Sequence, residues 1–222
     1  MFQGFTDATF EFFMAIRFNN NSEFFHDNHD WYVESVRRPL LELSADLSET
    51  IRKIDPELER RPEKTVSRLN RDVRFSKDKS PYRDYMWIGY HNPENKHGLP
   101  GFYVDISDDG VGYGMGFYEE NKPLMDVHRE ILLSRPDVFR KALAESRTEL
   151  APHADRYKRL KVPDDVPADL REWYLIRNIG YSGYITDGSL IRSPELTQFL
   201  ISELNKLKPM YQYFRHLAQA AQ

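Results

Sequence analysis

Residues 101–118 constrain the fold more than any other segment, because their pattern fits one simple structure. The sequence reads GFYVDIS, then DDG, then VGYGMGFY, so apolar and aromatic residues alternate with polar residues or glycine. Alternation with period two is typical of strands that bury one face, and Asp-Gly favours a two-residue hairpin turn. The segment therefore predicts a β-hairpin with Asp109 and Gly110 as its turn residues.

One face of this hairpin is expected to be core and the other to be lined with glycine. In the predicted register, three glycines lie opposite polar residues: Gly112, Gly114 and Gly116 opposite Ser107, Asp105 and Tyr103. A glycine within a strand costs about 0.5–1 kcal/mol relative to alanine. Two interpretations stay open. Either neighbouring side chains or a bent backbone cover the glycines, or they form a shallow floor for a flat or anionic ligand.

The rest of the chain alternates between helical and strand patterns. Helical spacing of apolar residues begins after Thr6 and again after Ser22, with Pro39 as a kink or break, and the first helix is expected to end near Asn19 to Asn21. The segments YRDYMWIGYHN and WYLIRNIGYSGYI predict strands. Further helices are predicted from Pro123, from Pro136 and from Ser193 or Pro194, with Pro209 before a last short helix.

This order predicts an α+β fold with an antiparallel-rich sheet around a central β-hairpin, flanked by N-terminal and C-terminal helices. A chain of 222 residues can form one domain around a single core. We therefore predict a single domain with three sequential parts. Residues 1–60 are helical, residues 64–118 hold a basic segment and the hairpin sheet, and residues 121–222 hold helices with one late strand.

Composition excludes several classes of protein. The chain has no cysteine, which excludes disulfides, thiolate metal sites and cysteine nucleophiles. Asp7 and Glu11 interrupt the apolar N-terminus, which argues against a signal peptide, and no apolar run approaches the roughly 20 residues that span a bilayer. We expect a cytoplasmic protein with no membrane partner. A pI near 6.0 argues against broad coating of nucleic acid.

Residues 68–83, which we call the basic segment, contrast with this acidic balance. Six cations face two carboxylates there: Arg68, Arg71, Arg74, Lys77, Lys79 and Arg83 against Asp72 and Asp78. Drawn as an extended strand, residues 71–79 have no purely apolar face. Either the aspartates pair with the arginines in an exposed, salt-bridged segment, or the cations converge on an anion. Arginine suits carboxylate or phosphate through paired donors, and Ser76 and Tyr82 are candidate hydrogen-bonding supports.

The leading hypothesis is a basic pocket for a small molecule that bears phosphate or carboxylate. Its predicted ligand-binding residues are Arg71, Arg74, Lys77, Lys79, Tyr82, Arg83 and Tyr103. The alternative is a non-enzymatic module that binds an acidic partner or a nucleic-acid backbone through the same segment. Catalysis, cofactors and oligomeric state stay open. If a reaction occurs, the candidate proton carriers are Asp72, Asp105 and His91.

Other motifs give little support to alternatives. His26 and His29 are three residues apart on a predicted helix, but the surrounding residues match no metalloprotease or zinc-finger signature, so no metal site is predicted. His91 and His97 flank a loop between two strands. GYGMG has the wrong spacing and setting for a dinucleotide fingerprint, and neither a Walker motif nor a G-x-S-x-G elbow occurs.

Two motifs resemble a known family over nearly the whole chain. NRDVRFSKDKSPYR, followed by a strand and the GFYVDIS hairpin, is similar to the family catalogued as domain of unknown function 2461, which occurs in bacteria and some fungi. The early NNNSEFFHDNHDWY, with Asn20, Phe25, His29 and Tyr32, resembles that family's opening motif. Phe24 stands where the family commonly has Trp, so an aromatic residue is kept. The resemblance marks these positions but implies no activity.

Overall fold

The computed structural model describes residues 1–93 and 98–221 and has an α+β fold, as predicted. The helices lie towards both ends of the chain and have the following bounds: α1 Asp7–Phe18, α2 Ser22–Asp27, α3 His29–Tyr32, α4 Arg38–Ile54, α5 Pro62–Thr65, α6 Lys122–Ser134, α7 Pro136–Glu145, α8 Arg171–Tyr174, α9 Gly188–Ile191 and α10 Glu195–Ala220. A π-helical turn, Val33–Arg37, joins α3 to α4, and a 3₁₀ turn, Ala168–Leu170, precedes α8.

The strands of the described residues form one antiparallel sheet in the order β1-β2-β3-β5-β4. Their bounds are β1 Tyr85–Tyr90, β2 Gly101–Ser107, β3 Val111–Phe117, β4 Pro152–His153 and β5 Ile179–Ile185. Burial alternates along β2, where Phe102, Val104 and Ile106 are buried, and the same alternation occurs along β1. This is the period-two pattern from which both strands were predicted. Every residue of β3 is buried.

By its internal contacts the chain divides into two compact units. The first unit contains residues 1–90, 103–113 and 184–201, and the second contains residues 91–102, 114–183 and 202–222. The single domain with three sequential parts stays a prediction. Among the described residues, no helix has the length and apolar character needed to cross a bilayer.

The first unit begins with helices that bury one face. Phe12, Phe13 and Ile16 of α1 are fully buried, and the helix ends at Phe18 with Asn19 as its C-cap, close to the predicted end. The second predicted cap was wrong by one residue. Asn21 caps α2, because its side-chain oxygen accepts the N–H of Phe24 at 2.9 Å.

Pro39 lies at the second position of α4, directly after the π-helical turn, which confirms the predicted irregularity. Proline has no N–H, so it cannot donate to the carbonyl of Ser35 four residues earlier. The buried Thr9 hydroxyl on α1 donates to that carbonyl instead, at 2.6 Å. The irregular turn therefore gives α1 a hydrogen-bonding site on its neighbour.

The hairpin was predicted correctly, but its register was wrong by two residues. The N–H of Ser107 donates to the carbonyl of Gly110 at 3.1 Å, so Asp108 and Asp109 form the loop. The predicted turn would need positive φ at Asp109, and no non-glycine residue of the described chain adopts it. Gly110 does, at φ 152°, and a Cβ there would lie 2.3 Å from the carbonyl of Ile185.

A shift of two residues keeps each side chain on its predicted face, so the glycines still lie opposite polar residues. A Cβ on Gly112 would lie 2.4 Å from a carboxylate oxygen of Asp105, and one on Gly116 would lie 2.4 Å from the carbonyl of Ile179. These two glycines leave room for a neighbouring carboxylate and for the backbone of β5. At both positions the covered interpretation therefore holds.

In the second unit, two predicted element boundaries were wrong. The late strand begins only at Ile179, and Trp173 and Tyr174, which were predicted to belong to it, lie in a helical turn. Helix α10 continues through Pro209 with no break. The buried Ser146 hydroxyl accepts the N–H of Met210 at 3.0 Å, which gives a partner to the residue that follows the proline.

The core of the second unit contains a neutral histidine. Burial lowers the pKa of His128 to about 3. The carbonyl of Trp173 can only accept, so the histidine Nε2 carries the hydrogen and donates to it across 3.2 Å. Nδ1 then accepts the hydroxyl of Tyr213 at 2.8 Å. Both nitrogens are thus satisfied without a charge.

The hydrogen bond between Thr9 and Ser35 is expected to stabilise the first unit. Thr9→Val keeps the shape of the side chain but leaves the Ser35 carbonyl without this donor, so the free energy of unfolding should fall by about 1–3 kcal/mol. Thr9→Ser keeps the hydroxyl and serves as the matched control. Urea denaturation measures both. A loss in Thr9→Ser without one in Thr9→Val would show that the methyl group, and not the hydrogen bond, stabilises the helix.

Candidate functional site

A polar cleft of about 390 Å³ opens in the first unit beside the basic segment. It is lined by residues from the end of α1, from the basic segment and from the start of β1: Arg17, Asn20, Arg71, Asp78, Ser80, Tyr82, Arg83, Asp84 and Tyr85. Its volume lies within the usual range for small-molecule sites. Three of the lining side chains are arginines and two are aspartates.

The basic segment is a closed loop and not the extended strand that we considered. Asn70 and Tyr82 form an isolated antiparallel bridge, the N–H of Arg71 donates to Pro81 at 2.8 Å, and the N–H of Arg83 donates to Leu69 at 2.9 Å. These bonds close the two ends of residues 72–80, which have no helix or strand. The ends of the segment are therefore fixed to each other, while its middle projects as a loop.

Asn20 fixes the closed end of this loop to the region after α1. Its side-chain oxygen accepts the N–H of Tyr82 at 3.0 Å, and its amide nitrogen donates to the carbonyl of the same residue at 3.0 Å. The buried ring of Tyr82 packs against Phe25, with ring centroids 4.5 Å apart. Residues of both sequence motifs, the early one and the basic one, thus meet at Tyr82.

Arg83 is a cation that the backbone holds in place. Its Nη1 donates to the carbonyl of Arg68 at 2.9 Å and to that of Asn70, and its guanidinium lies 5.0 Å from the centre of the Trp87 ring. The other three N–H donors, on Nε and Nη2, have no partner among the described residues. Arg83 is therefore positioned without being neutralised by a carboxylate.

Arg71 lines the same cleft and is 28% exposed. It donates through Nη1 to the carboxylate of Asp78. That carboxylate also accepts the hydroxyl of Ser80 at 2.6 Å and its N–H at 2.9 Å. The bonds from Ser80, followed by the one from Arg71, lower the pKa of Asp78, so its carboxylate stays ionised.

Arg17 is a cleft residue that the sequence analysis missed. Its Nε donates to Asp84 at 2.7 Å, and its two terminal nitrogens donate to the two carboxylate oxygens of Asp108 at 2.6 Å each. The partners lie 67 and 91 residues away along the chain. No local pattern could reveal such a link, since the pairing arises only when α1 meets the hairpin loop.

Three cations of the basic segment, Arg74, Lys77 and Lys79, lie on the projecting loop, outside the cleft. Arg74 pairs with Asp72 at 2.6 Å and is 76% exposed. Lys79 donates to the carbonyl of Val73 at 2.9 Å, and Lys77 is exposed with no partner in the part of the chain that the structure describes. Of the predicted ligand residues, the fold thus brings three together in the cleft: Arg71, Tyr82 and Arg83.

The candidate proton carriers do not line the cleft either. The bonds from Arg74 lower the pKa of Asp72 to about 2, so this carboxylate is a poor proton carrier near neutral pH. Asp105 and Tyr103 lie on the half-exposed face of β2, and His91 follows β1. His97 lies outside the described residues.

Asp105 is a partly buried carboxylate, and its burial disfavours the negative charge. Burial raises the pKa of Asp105, and its carboxylate has no hydrogen-bond partner among the described residues. It lies over the face of β3 where Gly112 leaves room. A charge held without compensation is a common property of functional groups and lowers stability.

No cluster of metal-ligating side chains occurs in residues 1–93 and 98–221. His29 packs its ring against Phe25 at 5.6 Å, and its Nδ1 lies 3.9 Å from a carboxylate oxygen of Asp30.

The fold and the cleft define an α+β protein with an arginine-lined polar site. A family model described as conserved hypothetical protein (DUF2461) matches residues 8–213, nearly the full length. The chain belongs to this family, which confirms the resemblance of the two motifs. No curated protein matches the chain. The family description names no reaction or ligand, so the functional argument depends on the cleft itself.

The loop cations are expected to contribute little to stability. Replacing both Arg74 and Lys77 by alanine removes one exposed ion pair and one exposed charge. The melting temperature should therefore change by no more than about 2 °C. Differential scanning calorimetry of the double variant checks this, and a collapse of folding would show that the loop charges maintain the fold.

Asp105→Asn should raise the melting temperature at pH 7, because it removes a charge that burial disfavours. The folded pKa lies above the unfolded one, so the wild type gains stability as the pH falls through the folded pKa. The advantage of the variant should therefore shrink towards pH 4. Asp109→Asn, an exposed change in the same hairpin, is the control. A lower melting temperature for Asp105→Asn at pH 7 would indicate a stabilising partner for the carboxylate.

Proposed function

We propose that the chain binds a small molecule that bears phosphate or carboxylate, and that the anionic group binds beside Arg83 and Arg71 in the cleft. The single observation that carries the proposal is the state of Arg83. Its guanidinium is fixed by two backbone carbonyls and the Trp87 ring, with three N–H donors left over. An anion in the cleft would complete its hydrogen bonding and balance its charge.

Arginine chemistry favours this class of ligand. A guanidinium offers parallel N–H donors that match two oxygens of a carboxylate or phosphate, and a fixed guanidinium loses little side-chain entropy on binding. Ser80 lines the same cleft, but its one hydroxyl hydrogen is donated to Asp78, so the donors for the anion come from the arginines. The proposal concerns binding, since no described residue of the cleft is placed as a proton carrier.

The aspartates of the cleft reduce its net positive charge. Asp78 and Asp84 each occupy part of the donor capacity of Arg71 and Arg17. The cleft is therefore not a strong positive field, and attraction from a distance contributes little. Affinity should come from directed hydrogen bonds and depend only weakly on salt, unlike binding to a polyanion.

Titration calorimetry with inorganic phosphate tests the proposal. Arg83→Lys keeps the positive charge. A lysine ammonium that donates to the two backbone carbonyls, however, cannot also offer the paired N–H donors with which a guanidinium binds an anion. Affinity should fall by at least about tenfold. Arg71→Gln should also weaken binding, because it removes a cation that lines the cleft.

The matched control for Arg71→Gln is Arg74→Gln, which removes one positive charge from the same segment outside the cleft. It should change the affinity by less than about twofold, since exposed charges outside a site act weakly at physiological salt. Equal losses in the two glutamine variants would mean that only overall charge matters. Absence of saturable phosphate and acetate binding to the wild type would refute the proposal.

The projecting loop supports the alternative function, a non-enzymatic module that binds an acidic partner or a nucleic-acid backbone. Phe75 is 94% exposed, with the Arg74 guanidinium 5.8 Å from its ring centre, and Lys77 is exposed beside it. An exposed aromatic ring among cations suits an acidic partner or a nucleic-acid backbone. Binding of this kind should weaken steeply as salt rises and be lost in Phe75→Ala, while Arg71→Gln leaves it intact. The cytoplasmic location predicted from composition is part of our proposal in either case.

A further inference from the structure

The cleft beside the basic segment is larger than a single anion needs. Its volume of about 390 Å³ has room for roughly a dozen water molecules, so one phosphate ion would fill only part of it. Among the described residues that line the cleft, none is aliphatic. The remainder of a ligand that fills the cleft should therefore be short and polar.

One part of the cleft wall carries a net negative charge. Arg17 donates to Asp84 at 2.7 Å and to Asp108 at 2.6 Å, so a single guanidinium balances two carboxylates. The side chain of Asp108 is 7% exposed and accepts from both terminal nitrogens of Arg17, whereas the side chain of Asp84 is 36% exposed and lines the cleft. One oxygen of Asp84 accepts the Nε–H of Arg17, and its other oxygen has no partner in the part of the chain that the structure describes. That oxygen is an available acceptor at the cleft.

The opposite charge lies on the adjacent residue. Arg83 is held by two backbone carbonyls with no carboxylate partner, while Arg71 and Asp78 form a pair without net charge. Consecutive Cα atoms lie about 3.8 Å apart, and both side chains line the cleft, so Arg83 and Asp84 present opposite charges within reach of one small molecule. Counted with Asp108, the three arginines and three aspartates of the site have no net charge, but the positive and negative charges are separated.

We propose that the cleft binds a small zwitterion, in which a short chain joins an ammonium group to a phosphate or carboxylate group, and this rests on the proposed binding of the anion beside Arg83. The anionic group binds to Arg83 and Arg71, and the ammonium group donates to the available oxygen of Asp84. An anion alone would satisfy Arg83 but would lie near the excess negative charge of Asp84 and Asp108. A zwitterion complements both charges of the wall.

Titration calorimetry at pH 8 compares phosphoethanolamine with ethyl phosphate, a pair that differs in the ammonium group. At this pH both phosphate groups are mostly dianions and the amine is protonated. Phosphoethanolamine should bind the wild type at least about threefold more tightly, because only its ammonium group gains a partner at Asp84. The second pair, β-alanine and propanoate, carries a carboxylate in place of the phosphate. Saturable binding of one zwitterion with the same preference supports the proposal and identifies the anionic group that the cleft recognises.

Two results with the wild type would count against the proposal in different ways. Equal affinity for phosphoethanolamine and ethyl phosphate, with equal affinity for β-alanine and propanoate, would overturn the zwitterion as the ligand class and leave the anion site standing. Absence of saturable binding for all four ligands would overturn the anion site as well. Neither result depends on the folding of a variant.

Asp84→Asn tests the residue assigned to the ammonium group. Asparagine keeps the shape of the side chain, and its oxygen can still accept the Nε–H of Arg17. Ethyl phosphate should still bind, and phosphoethanolamine should bind this variant within about 1.5-fold of ethyl phosphate, because the negative charge opposite the ammonium group is gone. Asp72→Asn is the matched control, since it removes a carboxylate outside the cleft, and it should keep the full preference. Retention of the preference in Asp84→Asn, or an equal loss in both variants, would contradict the assignment of Asp84.

Discussion

The cleft depends on how the guanidinium of Arg83 is held. Two backbone carbonyls fix one nitrogen and the guanidinium carbon lies 5.0 Å from the centre of the Trp87 ring, so the side chain is positioned although no carboxylate neutralises it. Carbonyls orient a cation but leave its full charge in place, in contrast to the pairs that Arg71 and Arg74 make with aspartates. This difference separates Arg83 from the other cations of the basic segment.

Contacts between distant parts of the first unit keep that arrangement in place. Asn20 forms two hydrogen bonds with the backbone of Tyr82, and Arg17 joins α1 to Asp84 and to Asp108 in the hairpin loop. The cleft therefore lies where three separate elements are fixed to one another. A site built on such contacts can keep its shape before a ligand arrives, which lowers the cost of binding.

The sequence predicted the features that depend on local pattern. The α+β class, the hairpin, its two faces and three residues of the cleft, Arg71, Tyr82 and Arg83, followed from alternation and from clustered charge. The hairpin register did not, because backbone conformation placed Gly110 after the loop and not within it. Arg17 was missed since its partners are remote in sequence. Arg74 lies outside the cleft because the ends of its loop are joined, and the residue types alone do not predict that closure.

The most direct test of the account is a crystal structure of the protein grown with phosphate or sulfate. We predict a tetrahedral anion in the cleft, within hydrogen-bonding distance of Nε and Nη2 of Arg83, with Nη1 still on its two carbonyls. The opposite result would be an Arg83 side chain extended into solvent or paired with an aspartate, with no anion beside it. That result would contradict the central claim, because the cation would then be either unheld or already neutralised.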